Sequence, residues 1–249
     1  MKNQSDTPSL YKDLLHYHKY ARGLAHFIVK SDYPLTIGVS WEWWYGKTTL
    51  MHYIAYYLDS TFFKKNKASF DKKDNSLIKE ITNFHKDLQN SYKVIFLNTW
   101  PFINSKDLWR TIFEQIMFDL SQIIKEDDKW LEKGWKFLLR TISWVLKTLK
   151  LNAKISLPWV EIWWEFDPSK CEMDDLFGDN ITYTFKSEIE LILNEFAKKK
   201  WKLLICVDDL DRLYPSQALE VILFIKNFLD TDNCIFIIGS DNKVVADGL

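Results

Sequence analysis

The 249 residues carry 33 basic and 34 acidic side chains, a formal net charge of −1, so no global field draws the chain to nucleic acid and any polyanion must be held locally. That length suffices for one α/β domain with a sizeable core, or one such domain carrying an insertion. No uncharged apolar run reaches the roughly 18 residues a bilayer span needs, MKNQSDTPSLYKDL has no signal-peptide pattern, and Cys171, Cys206 and Cys234 lack metal-ligand spacing and suit a reducing cytosol.

From Leu10 to Lys30 the apolar positions Leu14, Leu15, Tyr17, Tyr20, Ala21, Leu24, Ala25, Phe27 and Ile28 recur at helical spacing and predict an amphipathic helix. The run Leu35 to Ser40 predicts a short buried strand, and Lys47 to Leu58 continues as a helix. Residues 60 to 92 are rich in Lys, Asp and Asn and read as a solvated, irregular connection with one helix around Leu77 to Leu88. A second strand over Lys93 to Asn98 precedes a helix that Ser105 opens and that runs through Ile124. Between residues 125 and 180 the pattern is weakest. Lys136 to Leu151 places Lys136, Arg140, Ser143, Lys147 and Lys150 on one stripe with aliphatics elsewhere, and LPWVEIWWEFDPSKCEMDDLFGD reads as a hairpin or extended insert with an acidic loop. Helical spacing resumes from Phe185 to Lys199, Lys202 to Val207 is a continuous apolar strand, Pro215 starts a helix to about Leu229, and Cys234 to Gly239 is a fourth strand. Nearly all-apolar strands separated by helices predict a mainly parallel sheet covered on both faces, a three-layer α/β/α fold with an inserted segment at about 125–180.

Between the first strand and its helix lies VSWEWWYGKTTL, Val39 to Leu50. A strand, a turn and GK[ST] opening a helix form a phosphate-loop arrangement, because backbone N–H groups at the helix start face a polyphosphate and the helix dipole favours its charge. Lys47 would reach the β- and γ-phosphates, Thr48 would offer its hydroxyl to Mg2+, and Trp41, Glu42, Trp43, Trp44, Tyr45, Gly46 and Thr49 would complete the nucleotide-binding loop. Downstream, LLICVDDLDR delivers acids at the C-terminal edge of a strand, where open α/β sheets place ligands. Asp208 is positioned there to hold Mg2+, directly or through water, and Asp209 to orient or polarise an attacking water. Each feature alone has a plainer explanation, GKTT as a helix start with a threonine cap and the aspartates as a solvated turn or helix cap. Both together, in this order and separated by strand and helix, favour one site.

With the FLNTW strand end and VDDLDRL followed by a helix and IFIIGSDNKVV, the chain resembles the KAP family of P-loop NTPases. That family's loop typically reads G-E-W-G-x-G-K-T and its second motif D-D-L-D-R. Glu42, Trp43, Gly46, Lys47 and Thr48 match directly, whereas Trp41 and Trp44 fall on the remaining glycines. The resemblance implies ATP rather than GTP, a signalling or phage-defence role, and membrane association in many members. The family's variable insertion commonly carries membrane-spanning helices, which this chain lacks there. It also implies the branch whose acidic motif lies on a strand not adjacent to the loop strand. A fifth strand and a helical lid usually follow the sensor strand in that branch, so the ending Asp247-Gly248-Leu249 reads as that of a fragment without lid or arginine finger, slow in hydrolysis.

Tryptophan at positions 41 and 44 is a physical problem. The first loop glycine permits a tight turn and the later one a close approach to phosphate, so an indole adds strain of about 1–3 kcal/mol and fills phosphate space. One account is a degenerate site, a catalytically inactive scaffold that binds protein partners through the insert. The other concerns the written sequence, with 12 Trp against 7 Gly where average usage gives roughly 17 glycines. Glycines encoded by UGA and read as tryptophan would explain the matching gain and loss, both loop positions, Trp163-Trp164 beside charges, and Trp201 before a strand. UGG at codons 41 and 44 would end that account.

Asp211 and Arg212 are expected to form a surface or interdomain ion pair, the alternative being that Arg212 faces the γ-phosphate of a neighbouring subunit. Asn98 and Asp241, at strand ends, are candidate sensors of the attacking water or γ-phosphate. The basic stripe of Lys136 to Leu151 could lie on an anionic membrane surface. The expected function is thus an ATP-binding, Mg2+-dependent switch in the cytoplasm or at its membrane, with a protein effector or self-association as further partners and no nucleic acid.

Overall fold

A computed structural model of the chain describes residues 16–32, 34–40, 46–66, 75–105, 108–125, 156–157, 160–161, 179–226 and 231–241. Trp41 to Tyr45, the basic stripe of Lys136 to Leu151, the acidic loop after Phe166, and Trp163-Trp164 lie outside the described residues, as do residues 242–249.

Helix α1 (Tyr17–Lys30) leads into β1 (Leu35–Ser40) and α2 (Lys47–Leu58), followed by α3 (Ser60–Asn66), α4 (Asn75–Asp87) and β2 (Ser91–Asn98). Then come α5 (Leu108–Lys125), the short strands β3 (Ser156–Leu157) and β4 (Val160–Glu161), α6 (Asp179–Lys198), β5 (Trp201–Asp208), α7 (Pro215–Phe224) and β6 (Cys234–Ser240). The main sheet has the order β1-β6-β5-β2, all parallel. One strand, β6, therefore separates the loop strand β1 from the acid-bearing strand β5, as the resemblance implied. Because every pair is parallel, β1, β2, β5 and β6 all end at one edge, where Ser40 faces Ser240 and Asn98 faces Asp208. The short strands β3 and β4 pair antiparallel, with Leu157 opposite Val160, where a hairpin or extended insert was expected.

Side-chain alternation explains why these strands read as unbroken apolar runs. On β5, Leu203, Ile205 and Val207 pack with α5, α6 and α7, while Leu204 and Cys206 pack with α1, α2 and α4 on the opposite face. On β6, Phe236 joins the first cluster and Ile235 and Ile237 the second. Each fully buried aliphatic contributes about 1.5–3 kcal/mol, and helices on both faces make the sheet the middle of three layers.

Residues 60 to 92 differ from expectation. They hold two described helices rather than one, because Asp59, only 5% exposed, organises the start of α3. Its Oδ1 accepts the Thr61 and Phe62 N–H groups at 2.8 and 3.0 Å, and the buried Phe63 anchors the helix from its other face. Asp59 Oδ2 also accepts the N–H of Val94 at 3.0 Å, a donor of β2 on the side away from β5.

The helix from Pro215 leaves α-geometry after Phe224 and passes through a π-type turn at Ile225 and Lys226, while its expected end near Leu229 lies outside the described residues. Trp201, expected at a turn, is instead the first residue of β5. Its ring meets Phe196 edge-on at 5.5 Å and lies 4.7 Å from Lys93 Nζ and 4.8 Å from Lys199 Nζ.

Candidate nucleotide site

At the C-terminal end of β1 the described chain resumes at Gly46, the residue before α2. Gly46 has φ 76°, and a Cβ built there would lie 2.8 Å from the Tyr17 ring, so both the left-handed backbone and the close approach of α1 require glycine. Among the described residues no side chain caps α2 and no acid occupies its first turn. The dipole of this helix, with Lys47, Thr48 and Thr49 in its opening turn, therefore favours an anion.

Asp208 ends β5. The alternation that turns Leu204 and Cys206 toward α2 also carries Asp208 to that side, where α2 begins. Its Oδ2 accepts the Thr48 hydroxyl at 2.5 Å and its Oδ1 the Asp209 N–H at 2.9 Å. Its backbone carbonyl accepts both the N–H and the hydroxyl of the buried Thr99, at 3.1 and 3.0 Å. Space beside the carboxylate comes from β6, since a Cβ at Gly239 would lie 3.2 Å from Asp208 Oδ1 and 2.9 Å from Met51 Cε.

Asp209 has φ 58°, a left-handed residue that breaks the strand and starts a 3₁₀ turn over Leu210–Arg212. Within this turn the charges separate. Arg212 Nε lies 2.8 Å from Asp209 Oδ1, with the Arg212 guanidinium 4.9 Å from the centre of the Trp100 ring. Asp211 points inward, and its Oδ2 accepts from Lys47 Nζ at 3.0 Å. This corrects the expectation of a surface pair with Arg212, because the Lys47 and Asp211 side chains are 10% and 4% exposed. Asp211 Oδ1 is buried and has no hydrogen-bond partner among the described residues.

Burial, then the neighbouring charge of Asp208, pushes the Asp209 carboxyl up to about 6, and Arg212 pulls it the other way. His52, one turn into α2, has its Nδ1 2.8 Å from the Thr48 carbonyl, and burial lowers its pKa. Its ring lies 4.1 Å from that of Phe96.

Of the residues singled out from sequence, Lys47, Thr48, Asp208 and Asp209 gather at the sheet's C-terminal edge, joined by Asp211. Asn98 and Asp241 stand at that edge too; Asn98 is exposed, and its Oδ1 accepts the Trp100 N–H at 3.0 Å. The contact of Asp211 with Lys47 and the space left by Gly239 escaped the sequence reading. For Asp211 the signal was there in DDLDR, but nothing in the spelling shows which acid turns inward.

The donor set suits a small hard cation. Thr48 and Asp208 supply adjacent oxygens, and Mg2+ is usually held by one or two carboxylates together with waters and substrate phosphates. No group of three or more His, Cys, Asp or Glu among the described residues is arranged to hold a metal by itself, so phosphate and water would have to complete the coordination.

A parallel three-layer sheet in which a GKTT helix start meets a strand-borne aspartate across one intervening strand defines a P-loop nucleoside triphosphatase domain. The chain matches the KAP family P-loop domain over residues 17–249 and belongs to that family. Nucleotide binding is the property this membership carries. A comparison with curated proteins gives no match. Among the described residues no helix is long and apolar enough to cross a membrane.

Proposed function

We propose that the chain is an ATP-binding, Mg2+-dependent nucleoside triphosphatase that works as a conformational switch. Lys47 binds phosphate, Thr48 and Asp208 hold Mg2+, and Asp209 orients the attacking water. The observation that carries this reading is the 2.5 Å hydrogen bond from Thr48 to Asp208, which joins residues 160 positions apart in the sequence. When bound, Mg2+ would supply charge neutralisation at the phosphates.

The chain's own groups account for the remaining work. The opening turn of α2 offers backbone donors and a positive dipole end to phosphate oxygens. Arg212 fixes one oxygen of Asp209, so that carboxylate is held in one orientation. With its pKa near 6, Asp209 is mostly ionised at neutral pH and accepts a hydrogen bond from water. The choice of ATP, a signalling or phage-defence role, and contact with a protein effector or an anionic membrane follow from the family resemblance and from the basic stripe of Lys136 to Leu151. A non-catalytic scaffold is the second reading, favoured by the tryptophans written at positions 41 and 44.

Titration with Mg2+-ATP separates the two. The switch predicts saturable binding that Lys47→Ala weakens at least about tenfold, a loss of ~1.4 kcal/mol. The scaffold predicts no binding by either form.

A further inference from the structure

Lys47 is the residue a phosphate should claim, yet a carboxylate already holds it. The Asp211 to Lys47 contact, 3.0 Å long between side chains 4% and 10% exposed, is nearly dry, so its attraction is little screened by water. The same Asp211 has its other oxygen buried without a hydrogen-bond partner among the described residues. A carboxylate this far from water depends on the ammonium it meets. Asp211 lies on a one-turn 3₁₀ segment between the left-handed Asp209 and Leu213, held by the Arg212 N–H to Asp209 carbonyl bond at 3.0 Å and the Leu213 N–H to Leu210 carbonyl bond at 3.3 Å. The turn is therefore a short element outside the sheet ladder. It carries Arg212, which holds Asp209.

We propose that Asp211 is a positioning residue that holds Lys47 in place of phosphate, and that nucleotide binding transfers Lys47 from Asp211 to the polyphosphate. The transfer leaves Asp211 buried with neither oxygen compensated, a state that burial strongly disfavours. The turn must then move or draw in a new partner, and Arg212 moves with it. Arrival of nucleotide at α2 is thereby communicated to the orientation of Asp209 without any contact between nucleotide and Arg212. This inference deepens the proposed function and rests on it.

The sign of one substitution tests it. Asp211→Asn keeps the shape and removes the competing charge, so the full chain carrying it should bind Mg2+-ATP at least about tenfold more tightly than the wild type, while Asp211→Glu, which restores a carboxylate, should return affinity toward wild type. A merely structural Asp211 would give the reverse, with Asp211→Asn binding equally or more weakly, and that result overturns the proposal. Thermal melts of both variants establish that they fold. Should Asp211→Asn not fold, the wild-type chain solved with Mg2+-ATP decides: Lys47 Nζ should lie beyond about 4 Å from both Asp211 oxygens, the outer limit of an ion pair. A bound nucleotide with the Lys47 to Asp211 contact intact refutes the transfer alone. Absence of saturable binding by the wild type and by a folded Asp211→Asn chain refutes the nucleotide reading beneath it.

Discussion

At the scale of single residues, the site depends on a few positions where backbone shape or space permits only one solution. Gly46 is one, since its φ of 76° and the Tyr17 ring 2.8 Å from a built Cβ both oppose any side chain. Gly46→Ala should therefore cost about 1–3 kcal/mol, measured by urea unfolding, and should weaken nucleotide binding in the surviving folded fraction because α2 would begin from a displaced residue. Unchanged stability would contradict the requirement for glycine at this position. Lys47, Thr48 and Gly46 were legible because GK[ST] after a strand is a spelling with a geometric cause. The role of Asp211 was not legible. Strand alternation predicts the side taken by Asp208, but Asp209 with φ 58° breaks the period, and beyond that break sequence spacing no longer says which way a side chain faces.

Among the elements, the strands were the easiest to read and the polar connections the hardest. A strand buried on both faces, such as β5 with Leu203 to Val207 all buried, must be apolar at every position. The bounds of β1 and β6 agree with expectation to within a residue. Helix α3 was missed because STFFKKN is short and polar and buries one side chain, Phe63. What makes it a helix is the residue before it. Asp59 accepts two N–H groups of α3 and, with its second oxygen, the N–H of Val94 on β2, so one carboxylate starts a helix and protects an edge strand. Asp59→Ala removes the cap and leaves a strand donor unpaired, and should destabilise the fold by about 2–4 kcal/mol. Asp59→Asn should cost less, because its amide oxygen can still accept. Equal losses for the two variants in urea midpoints would show that the carboxylate is not acting as an acceptor.

For the whole molecule, the packing of α4 on α2 makes stability depend on acid through one half-buried histidine. His85 on α4 sits with its Nε2 2.9 Å from the Tyr56 carbonyl of α2, against the edge of Phe63, and burial lowers its pKa below 6.5, with Asp59 opposing and Lys64 adding to the shift. A histidine depressed in the fold takes up its proton more readily when unfolded. Its stabilising effect is thus complete above pH 6.5 and is lost as pH falls from there through the folded pKa. Urea midpoints at pH 7.5, 6.5 and 5.5 should decline for the wild type over the lower interval, and His85→Gln should flatten that decline. Parallel curves for the two proteins would assign the acid sensitivity elsewhere.

The parallel sheet also explains why residues so distant in sequence meet. With β6 between β1 and β5, the end of the loop strand and the end of the acidic strand open on one edge, and α2 starts above it. The account stands on a cation shared between that helix start and Asp208. Its most direct test is titration of the chain with ATP, with and without Mg2+, for the wild type and for Asp208→Asn. The account predicts that Mg2+ tightens ATP binding to the wild type by about tenfold or more, ~1.4 kcal/mol, and has little effect on Asp208→Asn. An equal gain from Mg2+ in both proteins, or no saturable binding to the wild type at all, would contradict it.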